Sequence, residues 1–539
     1  MADSADTRPK SLGSEERKVI FASSLGTVFE WYDFYLYATL ATSFAAAFFP
    51  KGNDTATLLS ALATYAAGFV VRPFGALVFG RIGDLVGRKY TFLVTISVMG
   101  VATFGVGLLP TYESVGILAP ILLTLMRLLQ GLALGGEYGG AVIYVAEHSH
   151  PRRRGYATSW IQTTATIGFF LSLVVIGLCR KVIFSEAEFK AWGWRVPFWF
   201  SLVLLGFSLY IRLKLHESPV FLKMKAEART SKNPLRDSFL RYPNNKYVLL
   251  ALFGAVAGQG VVWYTGQFYA LLFLQSTLHV DYWTSYLLMG GALLIGTPFF
   301  LIVGRLSDRV GRIRIIGLGC LLAAVSYFGV FKGLTHYLNP ELEDFRDRTA
   351  IVVAADNCNI HLFPTGNTVY SECDQIRNFF TKRGLSFDSK PGEGGKAITS
   401  LADTKIEGWQ PGDKGAEDPR YVKALADRNY PAGAKGSNYP MALLLLAYLI
   451  LLVTLVYAPI AAFLVELFPA AIRYTSMSLP YHLANGWIGG LVPLVAAAIA
   501  ASVGNIYAGL YYPVIVAAIC LVVGALFLRD AKPDFDINA

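Results

Sequence analysis

Apolar runs bounded by charges or turn residues recur twelve times along the chain, near 20–48, 57–79, 90–109, 115–146, 158–178, 197–212, 247–275, 283–303, 314–332, 441–465, 475–502 and 507–528. At 1.5 Å of rise per residue, runs of this kind can cross about 30 Å of hydrocarbon as helices. They are numbered helix 1 to helix 12 below. The pattern predicts an all-α membrane protein. Composition agrees: of 539 residues, 54% are hydrophobic and only 16% charged, where soluble chains carry about 25% charged residues. Disorder, collagen, a disulfide scaffold and an ordinary cytosolic enzyme are poor fits. The first 19 residues are polar and lead into an apolar segment holding Glu30 and Asp33, so no cleavable signal peptide is expected.

The net charge of +10 raises the question of nucleic acid, but the placement of the basic residues answers it differently. Basic residues stay cytoplasmic, and only short loops obey the rule. With the N-terminus inside, 26 Lys and Arg fall on cytoplasmic segments, five in short external loops and 14 in the long segment Lys332–Tyr439. That bias predicts both termini in the cytoplasm and a lipid bilayer, with no nucleic acid, as the surroundings of the chain.

An internal repeat supplies the architecture. Gly80-Arg81-Ile82-Gly83-Asp84-Leu85-Val86-Gly87-Arg88 follows helix 2, and Gly304-Arg305-Leu306-Ser307-Asp308-Arg309-Val310-Gly311-Arg312 follows helix 8 at an offset of 224. Glu147, Pro151 and Arg154 after helix 4 are echoed by Glu466, Pro469 and Arg473 after helix 10, at offsets of 318 or 319. Two related six-helix bundles are therefore expected. The jump in offset measures an insertion between helices 9 and 10, extracytoplasmic by the charge count. The expected division is a cytoplasmic tail 1–19, a first bundle 20–212, a cytoplasmic loop 213–246, helices 7–9 over 247–333, the insertion 334–440, helices 10–12 over 441–529 and a cytoplasmic tail 530–539.

The insertion reads as a small mixed α/β unit. Thr349–Ala355 has the character of a strand and Asp374–Lys382 of a short amphipathic helix, amid Gly, Pro and Asp. Two of the five cysteines, Cys358 and Cys373, lie in it, 15 residues apart. On an oxidising side of a membrane that pair suggests a disulfide, with two free thiols or a metal held with His361 as alternatives. No metal and no cofactor are expected elsewhere, because neither the cysteine count nor C-x-x-C spacing supports them.

Ionisable groups inside a bilayer cost about 2.5–3.5 kcal/mol each on insertion scales and normally line a water-filled path or pair with one another. The sequence places five there: Glu30 and Asp33 in helix 1, Arg72 in helix 2, Arg127 and Glu137 in helix 4. Glu30 and Asp33, at i and i+3 with Tyr37 a turn beyond, are expected to share one cavity wall. Desolvation and mutual repulsion favour a protonated carboxyl, so at least one, Asp33 ahead of Glu30, is expected to carry a proton; the alternative is a structural ion pair with Arg72 or Arg127. Glu137 is a third candidate for proton coupling. Arg127 must find a carboxylate or a ligand: it holds an anionic substrate, senses protonation, or bridges to Glu137. Arg72 either joins it or snorkels to the cytoplasmic surface. Gln130 stands one turn from Arg127, and the second half offers Gln259, Trp263, Tyr264, Gln267, His482 and Asn485.

Helix 4 carries Gly131, Gly135, Gly136, Gly139 and Gly140, a small-residue spacing read as close helix packing. No G-x-x-x-x-G-K-[ST], H-E-x-x-H or G-x-S-x-G occurs, which argues against ATP as energy source and against catalysis. In the two loops, Gly80, Asp84, Gly87, Arg88 and Gly304, Asp308, Gly311, Arg312 are expected to form a latch, each Asp facing a helix N-terminus or an Arg of the opposite loop.

These residues carry a resemblance. The doubled loop motif with Arg127-x-x-Gln130-Gly131 resembles the major facilitator superfamily. Glu30-Trp31-Tyr32-Asp33-Phe34, Arg72-Pro73-Phe74-Gly75, Gly135-Gly136-Glu137-Tyr138-Gly139-Gly140 and Gly193-Trp194-Arg195-Val196-Pro197 are similar, within it, to the metabolite:proton symporters. The likeness covers nearly the whole chain except the insertion. It implies alternating access by rocking of two halves, a central site, a small-molecule metabolite and a proton as partners, and a bacterial inner membrane. Substrates of that family are organic acids such as 2-oxoglutarate, citrate, dicarboxylates and shikimate, or zwitterions such as proline and betaine. The chain stops about ten residues after helix 12 without the coiled-coil tail of the osmolyte carriers, which favours an organic acid. Glu217-Ser218-Pro219 also resembles a sugar-porter motif, though helices 1 and 2 do not follow that pattern. The insertion lies outside the family's plan and leaves open substrate capture, partner binding, assembly or a nutrient-sensing role.

Overall fold

The computed structural model describes residues 13–49, 54–214, 216–359, 369–392, 395–412, 417–431 and 433–530. His361, the first twelve residues and the tail from 531 lie outside the described residues. Among the described residues, ten helices are long and apolar enough to cross a membrane: Arg88–Val106, Leu118–His148, Pro151–Ile183, Arg195–Leu213, Asn244–Thr277, Tyr282–Val310, Arg312–Leu338, Tyr439–Leu467, Ala470–Val503 and Ala508–Phe527. They correspond to helices 3 to 12. Two further long helices, Ser14–Phe48 and Asp54–Leu85, occupy the places of helices 1 and 2.

The structure corrects the reading of the repeated motifs as loops. Gly80 to Leu85 complete helix 2, and Gly304 to Val310 complete helix 8. A helix need not end where its apolar run ends, because side chains such as Arg81 and Arg305 reach water from the last turns. The reversal is confined to Gly87 and Gly311, at φ 146° and 116°, a region in which a Cβ is strained.

Helices 2 and 4 make the closest crossing. A Cβ on Gly131 would overlap the Gly68 carbonyl, and one on Gly135 the Arg72 carbonyl, which accounts for two of the glycines of helix 4 as packing residues. Helices 7 and 11 are widened by π-helical turns at Leu252–Val256, Thr265–Tyr269 and Phe273–Thr277, and at Ala484–Gly489. Such turns free backbone groups and re-aim side chains, and they are frequent at functional sites. Gln267 and Asn485 stand on two of them.

Between helices 9 and 10 lies a four-stranded sheet of order β2-β1-β3-β4, from Ile351–Ala354 (β1), Asp388–Lys390 (β2), Ile398–Leu401 (β3) and Thr404–Glu407 (β4). β1 runs parallel to β2 and antiparallel to β3, and β3 and β4 form a hairpin. Helices Pro340–Arg348, Glu372–Lys382 and Pro419–Ala426 accompany it. Ser371 caps the second with a reciprocal bond from Asp374, so the helix starts two residues earlier than the sequence suggests. β2 to β4 escape sequence reading because strands of three or four residues are too short to register an alternation. Phe379, Phe380 and Tyr421 build the interior of this unit. It rests on the second half through the Phe387 amide on the Gly504 carbonyl (2.7 Å) and Arg346 on the Tyr507 hydroxyl (3.3 Å).

Cys358 and Cys373 are joined by a disulfide with Cα atoms 5.2 Å apart, whereas Cys179, Cys320 and Cys520 are free and buried. Alkylation of the denatured, unreduced protein should therefore add three adducts by intact mass. Five adducts would mean that the two cysteines of the insertion are thiols.

Candidate functional site

A small cavity of about 20 Å³ lies among helices 1 to 4, lined by Asp33, Phe34, Phe69, Arg72, Arg127 and Gln130, with Gly68, Met99, Gly131 and Leu134. It has room for a single water. Every lining residue comes from the first half.

Asp33 is buried and accepts a 2.7 Å bond from the Ser201 hydroxyl, with Thr103 beside it; the Thr103 hydroxyl donates to the Met99 carbonyl at 3.0 Å. Gln130 donates to the Thr103 hydroxyl at 2.6 Å and accepts from Arg127. Gln130 and Thr103 thus stand between the guanidinium of helix 4 and the carboxyl of helix 1. Arg127 lies over the Tyr37 ring, 3.6 Å from its centroid, a cation–π arrangement that holds the charge beside the cavity.

Arg72 does not snorkel. Its guanidinium lies 4.4 Å over Phe69 and 5.4 Å from Phe34, beside Tyr264 of helix 7. These rings shelter the charge at bilayer depth. His482 of helix 11 is buried nearby, and neither ring nitrogen has a hydrogen-bond partner among the described residues. Gln259 and Asn485 pair amide to amide at 3.0 and 3.1 Å, and Gln267 accepts from the Tyr35 hydroxyl at 3.3 Å. Those three tie helices together. Trp263 packs against Trp31 across the halves, ring centroids 5.3 Å apart and planes tilted by 41°.

Two expectations about the acids need correction. Glu30 is not among the residues that line the cavity with Asp33; the charged groups around it are Glu137, Arg72, Arg212 and Asp33. Nor does Arg127 bridge to Glu137, since ten residues of helix span about 15 Å. The partner of Glu137 is Arg212 of helix 6, at 2.9 Å, which also lies 3.4 Å over the Phe92 ring. The charge pattern assigned Arg212 to the cytoplasmic surface. A usable signal was Gly26, one turn before Glu30, where a Cβ would overlap that guanidinium.

At the end of the molecule that carries the repeated motifs, each Asp crosses to the other half. Asp84 accepts from the amides of Tyr474 and Thr475 (3.2 and 2.8 Å) at the start of helix 11. Asp308 accepts from those of Gly155 and Tyr156 (both 2.9 Å) at the start of helix 5. Helix N-termini present free amides and a positive dipole end, which suits a carboxylate. The Arg partner comes from the same motif and not the opposite one: Arg88 on Asp84 and Arg312 on Asp308, each 2.7 Å. Arg88 also donates to the Ala470 carbonyl across the halves, and Arg473 pairs with Glu147 at 2.6 Å. Glu217 of the sugar-porter-like triplet accepts from the Arg88 and Lys89 amides at the start of helix 3.

Residues 18–246 match the sugar (and other) transporter family. An inner membrane metabolite transport protein of Escherichia coli (strain K12) is 47% identical over 223 residues, 41% of this chain and 50% of that protein. The proline/betaine transporter of the same organism is 37% identical over 56% of this chain and 62% of its own length. Its shikimate transporter is 33% identical over 60% and 73%. The matched segment thus spans half to three fifths of the first two relatives. A proton:xylose symporter structure of the major facilitator superfamily superposes with a TM-score of 0.61 at 15% identity, covering 96% of this chain and 97% of the other, a likeness of fold alone. Taken with the doubled motif and its crossed aspartates, these matches establish that the chain is an integral membrane protein belonging to the major facilitator superfamily.

Proposed function

We propose that the chain is a twelve-helix secondary transporter, with helices 1 and 2 also spanning, that imports a small metabolite by proton symport and alternating access. The observation that carries the reading is the cavity: a buried carboxyl, Asp33, and two guanidiniums, Arg72 and Arg127, line one space, with Gln130 and Thr103 standing between Arg127 and Asp33. A proton on Asp33 cancels the local negative charge and leaves Arg127, with Arg72, to hold a substrate carboxylate, for which guanidinium is the fitting partner. Proton and anion together then favour occlusion, since a ligand shifts such an equilibrium only by its preference for one state. Glu30, Glu137 and Arg212 form a second charge cluster behind the site that responds to the same proton. Two guanidiniums against one carboxyl in the cavity favour an organic acid. A zwitterion is the second reading, supported by the rings of Phe34, Phe69 and Tyr37, which suit a cationic group, and by the proline/betaine relatives. The insertion is assigned to the extracytoplasmic side, both termini to the cytoplasm and the protein to a bacterial inner membrane.

Uptake into proteoliposomes of labelled dicarboxylates, tricarboxylates, shikimate, proline and betaine under an inward proton gradient tests the reading. Accumulation of a carboxylate that collapses with a protonophore is expected. Uptake of betaine or proline alone would establish the second reading, and uptake indifferent to the gradient would remove proton coupling.

The crossed aspartates act as the cytoplasmic latch in this scheme. Asp84→Asn with Asp308→Asn should open that face more often, because each loses a charge-assisted bond to two amides. An introduced Ser478→Cys, at a position buried against helix 4, should then alkylate several-fold faster from the cytoplasmic side than in the parent. An unchanged rate would show that the aspartates do not hold the face closed.

A further inference from the structure

On the outer face of the second half, helices 7, 9 and 12 leave a groove of about 740 Å³. Its lining includes Gly254, Gly317 and Gly524, with Leu321 and Leu521 as apolar residues and Cys320 and Cys520 at its deep end. Arg314 and Cys320 are six residues apart on helix 9, so the groove extends about 9 Å along the helix from its charged mouth. That mouth holds Arg314 and Arg529, both exposed. Helix 9 begins and helix 12 ends there, which puts both guanidiniums at the level where a bilayer carries its headgroups.

Neither arginine has a carboxylate partner among the described residues; Arg314 donates only to the Val310 carbonyl. The one acid in the lining, Asp530, is engaged, accepting from the Ile313 amide at 2.8 Å and so capping helix 9. The groove therefore offers an apolar trough beneath two exposed guanidiniums and one carboxylate that is held on a helix amide, a net positive charge among the described residues. A neutral lipid would use the trough and leave the charges unanswered. A soluble anion would use the charges and leave the trough empty.

We propose that this groove binds one anionic phospholipid, its phosphate on Arg314 and Arg529 and an acyl chain in the trough. Basic pockets between spanning helices at headgroup level suit this chemistry, and each arginine contributes about 5-fold in affinity. The experiment is native mass spectrometry of the delipidated full-length protein titrated with phosphatidylglycerol or with phosphatidylcholine of identical acyl chains. One phosphatidylglycerol should be retained preferentially, and Arg314→Gln with Arg529→Gln should weaken it about 25-fold without changing phosphatidylcholine adducts. Gly317→Leu, which fills the trough and leaves both charges, should produce a comparable loss. Both arginines are exposed, so the double variant is expected to fold; its elution on size exclusion verifies this. Equal retention of the two lipids, full retention by the double variant, or a protein dimer that depends on the groove in place of a lipid adduct would each overturn the proposal.

Discussion

Asp33→Asn is expected to abolish proton-driven accumulation while sparing exchange of substrate between the two sides. The amide keeps the size of the carboxyl and can still accept from the Ser201 hydroxyl, so helix 1 should stay packed on helix 6. What it loses is the ability to carry a proton. A carrier locked in the neutral form binds substrate and still rocks when loaded, but it cannot couple that movement to the gradient. Accumulation ratios in proteoliposomes should fall to about one, with counterflow rates within roughly an order of magnitude of the parent. Accumulation at the parental level would remove Asp33 from the coupling path.

The second large effect concerns Arg127. Removing one partner of a buried, hydrogen-bonded charge pair costs about 2–5 kcal/mol, or roughly 30- to 4,000-fold in affinity. Arg127→Gln should raise the half-saturating substrate concentration by an amount in that range. Arg127→Lys should rescue little, because an ammonium keeps the charge but not the fork that binds a carboxylate and Gln130 together. Arg72→Lys is the informative contrast. Arg72 lies over two rings and beside Tyr264 of the other half, so its loss also loosens a contact between the halves and should lower the maximal rate along with affinity. If both lysine variants bound substrate normally, the guanidiniums would be structural.

Much of this arrangement is legible in the sequence because it is carried by local patterns. The Gly80–Arg88 and Gly304–Arg312 segments announce the two halves, and the expectation that their aspartates meet helix N-termini needs only the physics of free amides. Asp33, Arg72 and Arg127 stand out because charges in apolar runs are rare and costly. What the sequence does not disclose depends on facing and on neighbours. Glu30 and Asp33 look equivalent until helix rotation sends one towards Arg212 and the other towards Ser201. Arg212 is hidden at the end of an apolar run, followed closely by Lys214, where hydropathy cannot tell a buried guanidinium from a solvated one. Gln259 and Asn485 are polar residues in apolar helices like any cavity candidate, and only the structure reveals that they bond each other. The short strands of the insertion fall below the length at which alternation has meaning.

Coupling is the central claim, and the most direct measurement is of the proton itself. Substrate identified by the uptake panel is added to proteoliposomes in weak buffer with no imposed gradient, and external pH is followed alongside labelled uptake. The account predicts external alkalinisation that begins with substrate influx, scales with it and disappears in Asp33→Asn. Substrate influx with no accompanying proton movement in the parent protein would contradict it.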